Sequence, residues 1–87
     1  MEREVTIINK TGLHARPATL FVCEANKYKC DVKVEKDGKQ VNAKSIMGIL
    51  SLGIAQGTKI KIIANGEGDS EAVDALVKLV ENKFGEE

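Results

Sequence analysis

The residue of this chain best suited to take part in a chemical reaction is His14, its only histidine. An apolar pattern of helical period follows it, and Pro17 is of a type that is tolerated in the first turn of a helix. Gly12 permits a tight turn just before it. The imidazole is therefore expected beside unpaired backbone N–H groups at the positive end of a helix dipole, with Arg16 two residues away. Such a position suits a nitrogen nucleophile that must hold an anion.

Length, charge and cysteine content limit the classes of function. The chain has 87 residues and is expected to form one domain over residues 1–87. Its 13 basic and 13 acidic side chains cancel and it has no Trp, so direct binding of nucleic acid is not expected. No apolar run approaches the ~20 residues of a membrane span and no signal-peptide pattern opens the chain, so we expect a soluble cytoplasmic protein without membrane insertion. Cys23 and Cys30 lack a metal-ligand spacing and are predicted to be reduced thiols.

Hydrophobic periodicity predicts the elements that must hold His14 in place. Alternating apolar positions predict strands at residues 2–8, 31–36, 39–42 and 59–65. Apolar stripes of helical period predict helices at residues 15–27, 45–52 and 69–85. The last helix is predicted to be capped by Asp69 or Ser70 and to end at Gly85. The order β-α-β-β-α-β-α predicts an α+β fold in which three helices cover one face of a four-stranded antiparallel sheet and the other face contacts water.

A lone histidine is more often structural than chemical, so the surroundings of His14 must decide its role. The residue stands at a predicted helix start and not on an apolar face. Arg16 supplies a planar guanidinium suited to phosphate oxygens, and Gly12 allows the loop to bend so that the ring stays exposed. No aspartate or second histidine nearby suggests a catalytic triad, and no metal site is expected. Anion chemistry at the ring is the favoured interpretation.

Two separated stretches resemble one known family. The sequence GLHARPA at residues 12–18 resembles the phosphoacceptor signature of HPr, the histidine-containing phosphocarrier protein of the sugar phosphotransferase system. The sequence NAKSIMGILSLG at residues 42–53 resembles the regulatory serine segment of HPr from Gram-positive-type bacteria. The resemblance in element order and length covers essentially the whole chain. It implies an open-faced β-sandwich of four antiparallel strands under three helices, which agrees with the predicted order.

The resemblance implies a phosphoryl carrier. Enzyme I, charged by phosphoenolpyruvate, would pass a phosphoryl group to His14, on Nδ1 in the family, and the phosphohistidine would donate it to the IIA domain of a sugar permease. A helix N-terminus disfavours the imidazolium, which is not nucleophilic, and Arg16 with the free N–H groups can hold the phosphoryl oxygens. Thr11, Ala15 and Pro17 are expected to support the site, although Thr11 could be a turn residue alone. We expect a stoichiometric carrier that is not an independent enzyme and needs no cofactor.

Ser45 precedes the short second helix and has two interpretations that are compatible. A serine at this place caps a free helical N–H. The resemblance adds that the matching serine is phosphorylated by the ATP-dependent HPr kinase/phosphorylase, and that the phosphoserine form joins the catabolite control protein in repressing transcription. A phosphate at a helix start is favoured by the dipole. We expect it to repel the acidic surface of Enzyme I and so to slow the charging of His14.

Two helical faces are predicted to bind partners. The short helix is apolar nearly all round, so Ile49 is expected in the core while one or more of Ile46, Met47 and Leu50 stay exposed; alternatively, all four are core. The face of the first helix that is opposite its core stripe is expected to adjoin His14, and it carries Arg16, Thr19, Leu20, Cys23 and Lys27. Cys23 stands where many members of the family carry a polar or basic residue, and it is either a contact or an inert thiol.

Three other functions fit the residues less well than a phosphoryl carrier. An RNA-binding module is disfavoured by the zero net charge and the scarcity of aromatic residues. A purely regulatory HPr paralogue works through the serine alone, and such relatives lack the active-site histidine that this chain has. A family member for nitrogen regulation is disfavoured by the match around Ser45. The carrier is expected to be a monomer.

Overall fold

Strands and helices follow one another in the predicted order within residues 1–86, the part of the chain that the computed structural model describes. The strands are β1 (Glu2–Thr6), β2 (Asp31–Lys36), β3 (Lys39–Asn42) and β4 (Lys59–Asn65). The helices are α1 (Ala15–Ala25), α2 (Ile46–Ser51) and α3 (Asp69–Glu81), and a 3-10 turn follows at Lys83–Gly85. None of the helices in residues 1–86 is both long and apolar enough to cross a bilayer.

The four strands form one antiparallel sheet with the order β1-β4-β2-β3. Successive side chains of a strand point to opposite faces, and β4 buries Ile60, Ile62 and Ala64 on the helical side. On the other side, Lys61 lies 3.7 Å from Glu2 and 4.0 Å from Glu35. Exposed ion pairs of this kind add little to stability, but they show that this face of the sheet contacts solvent. The predicted open-faced sandwich with one helical layer is therefore confirmed.

The core lies between the helical layer and the inner face of the sheet. Aromatic and aliphatic side chains from every major element meet there, and burying each contributes about 1.5–3 kcal/mol. The largest fully buried side chains include Phe21, Leu13, Ile49, Ile54, Ile62 and Leu76. Because the stripes of α1 and α3 face this core, the opposite face of α1 is left at the surface.

β1 and α1 are both shorter than predicted. β1 ends at Thr6 instead of residue 8, because Ile7 already pairs with the loop before β4, where its N–H donates to the carbonyl of Thr58 at 2.8 Å. α1 ends at Ala25 instead of Lys27, because the chain beyond Ala25 makes tighter turn bonds between residues three apart.

The predicted start of α3 is wrong. Neither Asp69 nor Ser70 is the cap residue, since the N-cap is Gly68, which has a φ of +81°. Asp69 is the first helical residue, and its Oδ1 accepts a 2.7 Å bond from the N–H of Ser70. A glycine takes this position because the left-handed backbone conformation carries no Cβ penalty there.

The predicted end of α3 at Gly85 is also wrong. The helix ends at Glu81, and in the 3-10 turn that follows both Lys83 and Phe84 have a φ of 55°. This left-handed stretch turns the chain back over the core, and the side chain of Phe84 is buried. The apolar stripe therefore continues to Phe84 although the helix does not, which explains why the period alone predicted too long a helix.

Candidate functional site

The loop between β1 and α1 is fixed to the body of the protein just before His14. The N–H of Leu13 donates to the carbonyl of Ile54 at 2.9 Å, and the Leu13 side chain is fully buried. Gly12 has a φ of +68°, and a Cβ at this position would meet the Ile54 carbonyl oxygen and lie 2.8 Å from Ala55 Cα. A glycine is required here both for its backbone angle and for the close approach of the two chains.

His14 is the N-cap residue of α1 and is exposed to solvent. Its backbone is extended, with φ −125° and ψ 158°, and its carbonyl accepts a 3.5 Å bond from the N–H of Ala18. Within residues 1–86 its side chain makes no capping bond to the helix. The ring is therefore held at the helix start by the backbone alone, and its nitrogens are available to a partner.

The first residues of α1 supply backbone donors beside the ring. The N–H groups of Ala15 and Arg16 lie ahead of the first helical hydrogen bond, and Pro17 has none. Such donors, with the dipole behind them, attract anions. Ala15 has a φ of 45°, a left-handed angle that is uncommon for residues other than glycine and that recurs at functional sites. The sequence carried no signal for this backbone angle.

A shallow depression surrounds His14 and contains the residues that the sequence predicted to support it. Its lining consists of Lys10, Thr11, His14, Ala15, Arg16, Pro17 and Glu86. Arg16 is exposed and lines the same depression as His14, so its guanidinium stands on the side that is open to an anion. Lys10 adds a second cation that the sequence-based interpretation missed, although its place in the loop before Gly12 was a usable signal.

Glu86 is the residue of this depression that no local pattern could indicate. Its Oε2 accepts a 2.7 Å hydrogen bond from Thr11 Oγ1 and a 3.2 Å bond from Asn9 Nδ2. The bond from Thr11, with a smaller contribution from Asn9, holds the pKa of the Glu86 carboxyl below its usual value. Because the folded-state pKa is lowered, the contact stabilises the fold above the ordinary glutamate pKa and is lost as the pH falls through the folded value.

Ser45 is confirmed as the cap of α2. Its Oγ accepts a 3.1 Å bond from the N–H of Gly48, and its backbone is extended. The neighbouring surface is apolar: Ile46, Met47 and Leu50 are 38%, 75% and 41% exposed. We call these three residues the apolar patch. Ile49 is fully buried, as predicted, so α2 divides between core and surface in the expected way.

The outer face of α1 agrees with the prediction except at Leu20. Arg16, Thr19 and Cys23 are exposed, whereas Leu20 is partly buried and packs against the core. The predicted place of Leu20 on the face opposite the core stripe is therefore only partly correct, because its side chain is shared between the core and the surface. The hydroxyl of Thr19 donates to the carbonyl of Ala15 at 3.1 Å. Cys30 is buried and Cys23 is exposed, and both are free thiols.

His14 and Ser45 lie at opposite ends of α1. His14 begins the helix, while the side chain of Asn26, its C-cap residue, donates to the carbonyl of Lys44 at 3.2 Å. A helix of 11 residues is about 16 Å long. That is roughly two Debye lengths at physiological ionic strength, so charges at the two ends interact weakly through solvent.

Comparisons with known proteins agree on one family. Residues 1–82 match the family model described as PTS HPr component phosphorylation site. The HPr-like protein Crh of Bacillus subtilis is 51% identical over 83 residues, which cover 95% of this chain and 98% of that protein. The crystal structure of HPr-C-His from Thermoanaerobacter tengcongensis is 59% identical, with a TM-score of 0.99 over 100% of this chain and 98% of that chain. A crystal structure of an HPr dimer from the same organism is 60% identical, with a TM-score of 0.82 over 94% of each chain.

This chain is therefore an open-faced β-sandwich whose first helix begins at an exposed histidine. The chain belongs to the HPr family. Proteins of this family are phosphocarriers rather than enzymes, which agrees with the expectation from the sequence.

Proposed function

We propose that this protein is a phosphoryl carrier of the phosphoenolpyruvate-dependent sugar phosphotransferase system. It accepts a phosphoryl group from Enzyme I on His14 and passes it to the IIA domains of sugar permeases. The observation that carries the proposal is the exposed ring of His14 at the start of α1, where backbone donors and Arg16 surround the space in front of it. We further propose that the protein acts in the cytoplasm.

The transfer step follows from the chemistry of the ring. A lone pair of the unprotonated imidazole nitrogen attacks phosphorus, the new N–P bond forms, and the bond between phosphorus and Enzyme I breaks with its electron pair returning to Enzyme I. The resemblance to the family favours Nδ1 as this nitrogen. The N–H groups of Ala15 and Arg16, together with the guanidinium, stabilise the phosphoryl oxygens. Because all of these donors lie at the surface, a IIA domain can replace them and take the group away.

A three-component assay tests the carrier role. Enzyme I, labelled phosphoenolpyruvate and a IIA domain are incubated with and without this protein. We expect label on the IIA domain only when the protein is present, because the IIA domain receives the group from His14. Equal labelling of the IIA domain without the protein, or label that stays on the protein, would contradict a carrier role.

Arg16→Ala is expected to slow charging by Enzyme I about 10- to 100-fold while leaving His14 as the acceptor, because a charged hydrogen-bond donor to the phosphoryl oxygens is lost. The charging rate of Arg16→Lys should lie between those of the wild type and Arg16→Ala, since lysine keeps the positive charge but lacks the planar guanidinium. Arg3→Ala is the matched control: Arg3 is an exposed arginine on β1, paired with Asp74 at 3.8 Å. Initial charging rates measure the effect. If Arg16→Ala is charged as fast as Arg3→Ala, the guanidinium of Arg16 takes no part in phosphoryl transfer.

We also propose that phosphorylation of Ser45 by HPr kinase/phosphorylase regulates the carrier and links it to the catabolite control protein. The Ser45 oxygen already lies at a helix start, where a phosphate is favoured. Because Ser45 lies about the length of α1 away from His14, its phosphate acts on partner binding rather than on the ring. The apolar patch follows Ser45 directly, so a partner that covers the patch would meet the new charge.

Ser45→Asp is expected to slow charging by Enzyme I about threefold or more, since it places a negative charge beside the apolar patch, where Enzyme I is proposed to bind. Ser45→Asn caps the helix equally well without the charge, so it should charge like the wild type. Initial rates at low and high salt measure the effect, which should shrink as salt screens it. Equal rates for the two variants at low salt would show that Ser45 lies outside the surface that meets Enzyme I.

The oligomeric state is proposed to be a monomer, because one exposed histidine and its donors come from a single chain. One of the similar crystal structures is an HPr dimer, so self-association deserves a direct measurement. Sedimentation at working concentrations distinguishes the two states. A second candidate function, regulation through Ser45 without phosphoryl transfer, has in its favour the 52% identity to Crh of Bacillus subtilis, which is described as a catabolite repression protein. Charging of His14 by Enzyme I separates the candidates.

A further inference from the structure

We propose that Glu86 is a positioning residue of the phosphoacceptor site, whose carboxylate anchors Thr11 and thereby the loop that presents His14. The inference rests on the proposed function of His14. Through this carboxylate, Glu86 contacts the loop between β1 and α1 at Thr11, which lies 75 residues earlier in the chain. Its oxygen accepts from Thr11 Oγ1 at 2.7 Å, which is the short distance typical of a charged acceptor.

The loop depends on this contact because its two halves are held differently. Its second half is fixed by the backbone bond from Leu13 to Ile54 and by the buried Leu13 side chain. Its first half is exposed at Thr11, whose hydroxyl bonds to Glu86 and to the amide of Asn9. Without Glu86, the only hydrogen bond of the Thr11 hydroxyl within residues 1–86 would be the long one of 3.3 Å from Asn9 Nδ2.

Asn9 connects the carboxylate to the interior of the loop. The residue is 1% exposed, and the two hydrogens of its Nδ2 face three acceptors, Glu86 at 3.2 Å, Thr11 at 3.3 Å and the carbonyl of Gly12 at 2.9 Å, so that one hydrogen is shared. Its Oδ1 is buried and has no hydrogen-bond partner among residues 1–86. Because Oδ1 makes no hydrogen bond within residues 1–86, the side-chain amide of Asn9 is held by the acceptors around its Nδ2. Glu86 is one of them.

The 3-10 turn at Lys83–Gly85 brings Glu86 close to the loop between β1 and α1. Lys83, Phe84 and Gly85 have left-handed φ angles of 55°, 55° and 79°, which reverse the chain after α3. Phe84 is buried and anchors the turn two residues before Glu86. A backbone that is unfavourable for two residues persists only when its surroundings require it. Glu86 also lines the depression that contains His14 and Arg16, so the residue that holds Thr11 is itself part of the candidate site.

Charging rates of variants at position 86 test the proposal. Glu86→Ala is expected to slow charging by Enzyme I about three- to tenfold, since one charge-assisted hydrogen bond no longer holds the loop. Glu86→Gln keeps an oxygen acceptor of the same shape and should recover at least half of the wild-type rate. Glu81→Ala, at an exposed glutamate that ends α3, is the control and should charge like the wild type. If instead the carboxylate acted by repelling the phosphoryl group, both Glu86 variants would charge faster than the wild type, and the positioning role would be wrong.

Amide hydrogen exchange in the uncharged protein gives a second readout that does not require phosphoryl transfer. In Glu86→Ala we expect faster exchange at Thr11 and Gly12, with the amides of α3 and the thermal midpoint unchanged. A variant that lowers the midpoint and exchanges faster throughout would show a general structural role, and unchanged exchange at Thr11 would overturn the proposal. Failure of the wild type to be charged would instead contradict the proposed function, whatever the exchange data show.

Discussion

His14→Ala is expected to accept no phosphoryl group from Enzyme I while folding like the wild type. The substitution removes the ring whose nitrogen would form the N–P bond, and His14 is the only histidine of the chain. Since the side chain is exposed and makes no capping bond within residues 1–86, its loss should change the free energy of unfolding by less than about 0.5 kcal/mol. Labelling with phosphoenolpyruvate and Enzyme I measures acceptance, and thermal unfolding measures the fold.

The other functional position provides the control for this experiment. His14→Ala should still be phosphorylated by the proposed kinase at Ser45, because the two residues lie at opposite ends of α1. A variant that is modified at Ser45 but not by Enzyme I is folded and lacks only the acceptor. Acid-labile label that persists in His14→Ala would show that the phosphoryl group resides on another residue.

Gly12→Ala is expected to destabilise the fold by about 2–5 kcal/mol. The left-handed backbone at φ +68° costs an alanine about 1–2 kcal/mol, and the new Cβ would force the loop away from Ile54 and Ala55 at a further cost of about 1–3 kcal/mol. Because the same movement displaces His14, charging should slow as well. Denaturant unfolding measures the first effect and initial charging rates the second.

Gly53→Ala isolates the cost of close approach from the cost of the backbone angle. Gly53 has a φ of +59°, but a Cβ at this position would meet no atom of residues 1–86 within 4 Å. It should therefore be destabilised only by the backbone term of about 1–2 kcal/mol. If Gly12→Ala and Gly53→Ala lose the same stability, the contact between the loop and residues 54–55 does not position the site.

Short-range features of the site could be predicted from the sequence. The cap at Ser45 involves an N–H three residues away, and the helix start at His14 is signalled by Gly12 and Pro17 nearby. The division of α2 into a buried Ile49 and an exposed apolar patch follows from the length of the helix, since six residues cannot bury every side. In each case the residues that decide the structure lie within one or two turns of each other.

Features that depend on distant residues could not be predicted. The contact of Glu86 with Thr11 arises only once α3 and its turn have returned the chain to the loop. Alanine does not favour the left-handed angle that Ala15 adopts, so the residue type gave no signal of it. The core contact of Leu20 depends likewise on how α1 is rotated against its neighbours. Periodicity describes one element at a time and carries no information on such contacts.

Whether His14 carries the phosphoryl group is tested most directly by the mass of the wild-type protein after incubation with Enzyme I and phosphoenolpyruvate, followed by mapping of the modified residue. We expect one acid-labile phosphoryl group per chain, located on the ring of His14 and lost when a IIA domain is added. An unchanged mass, or an acid-stable adduct on any other residue, would contradict it.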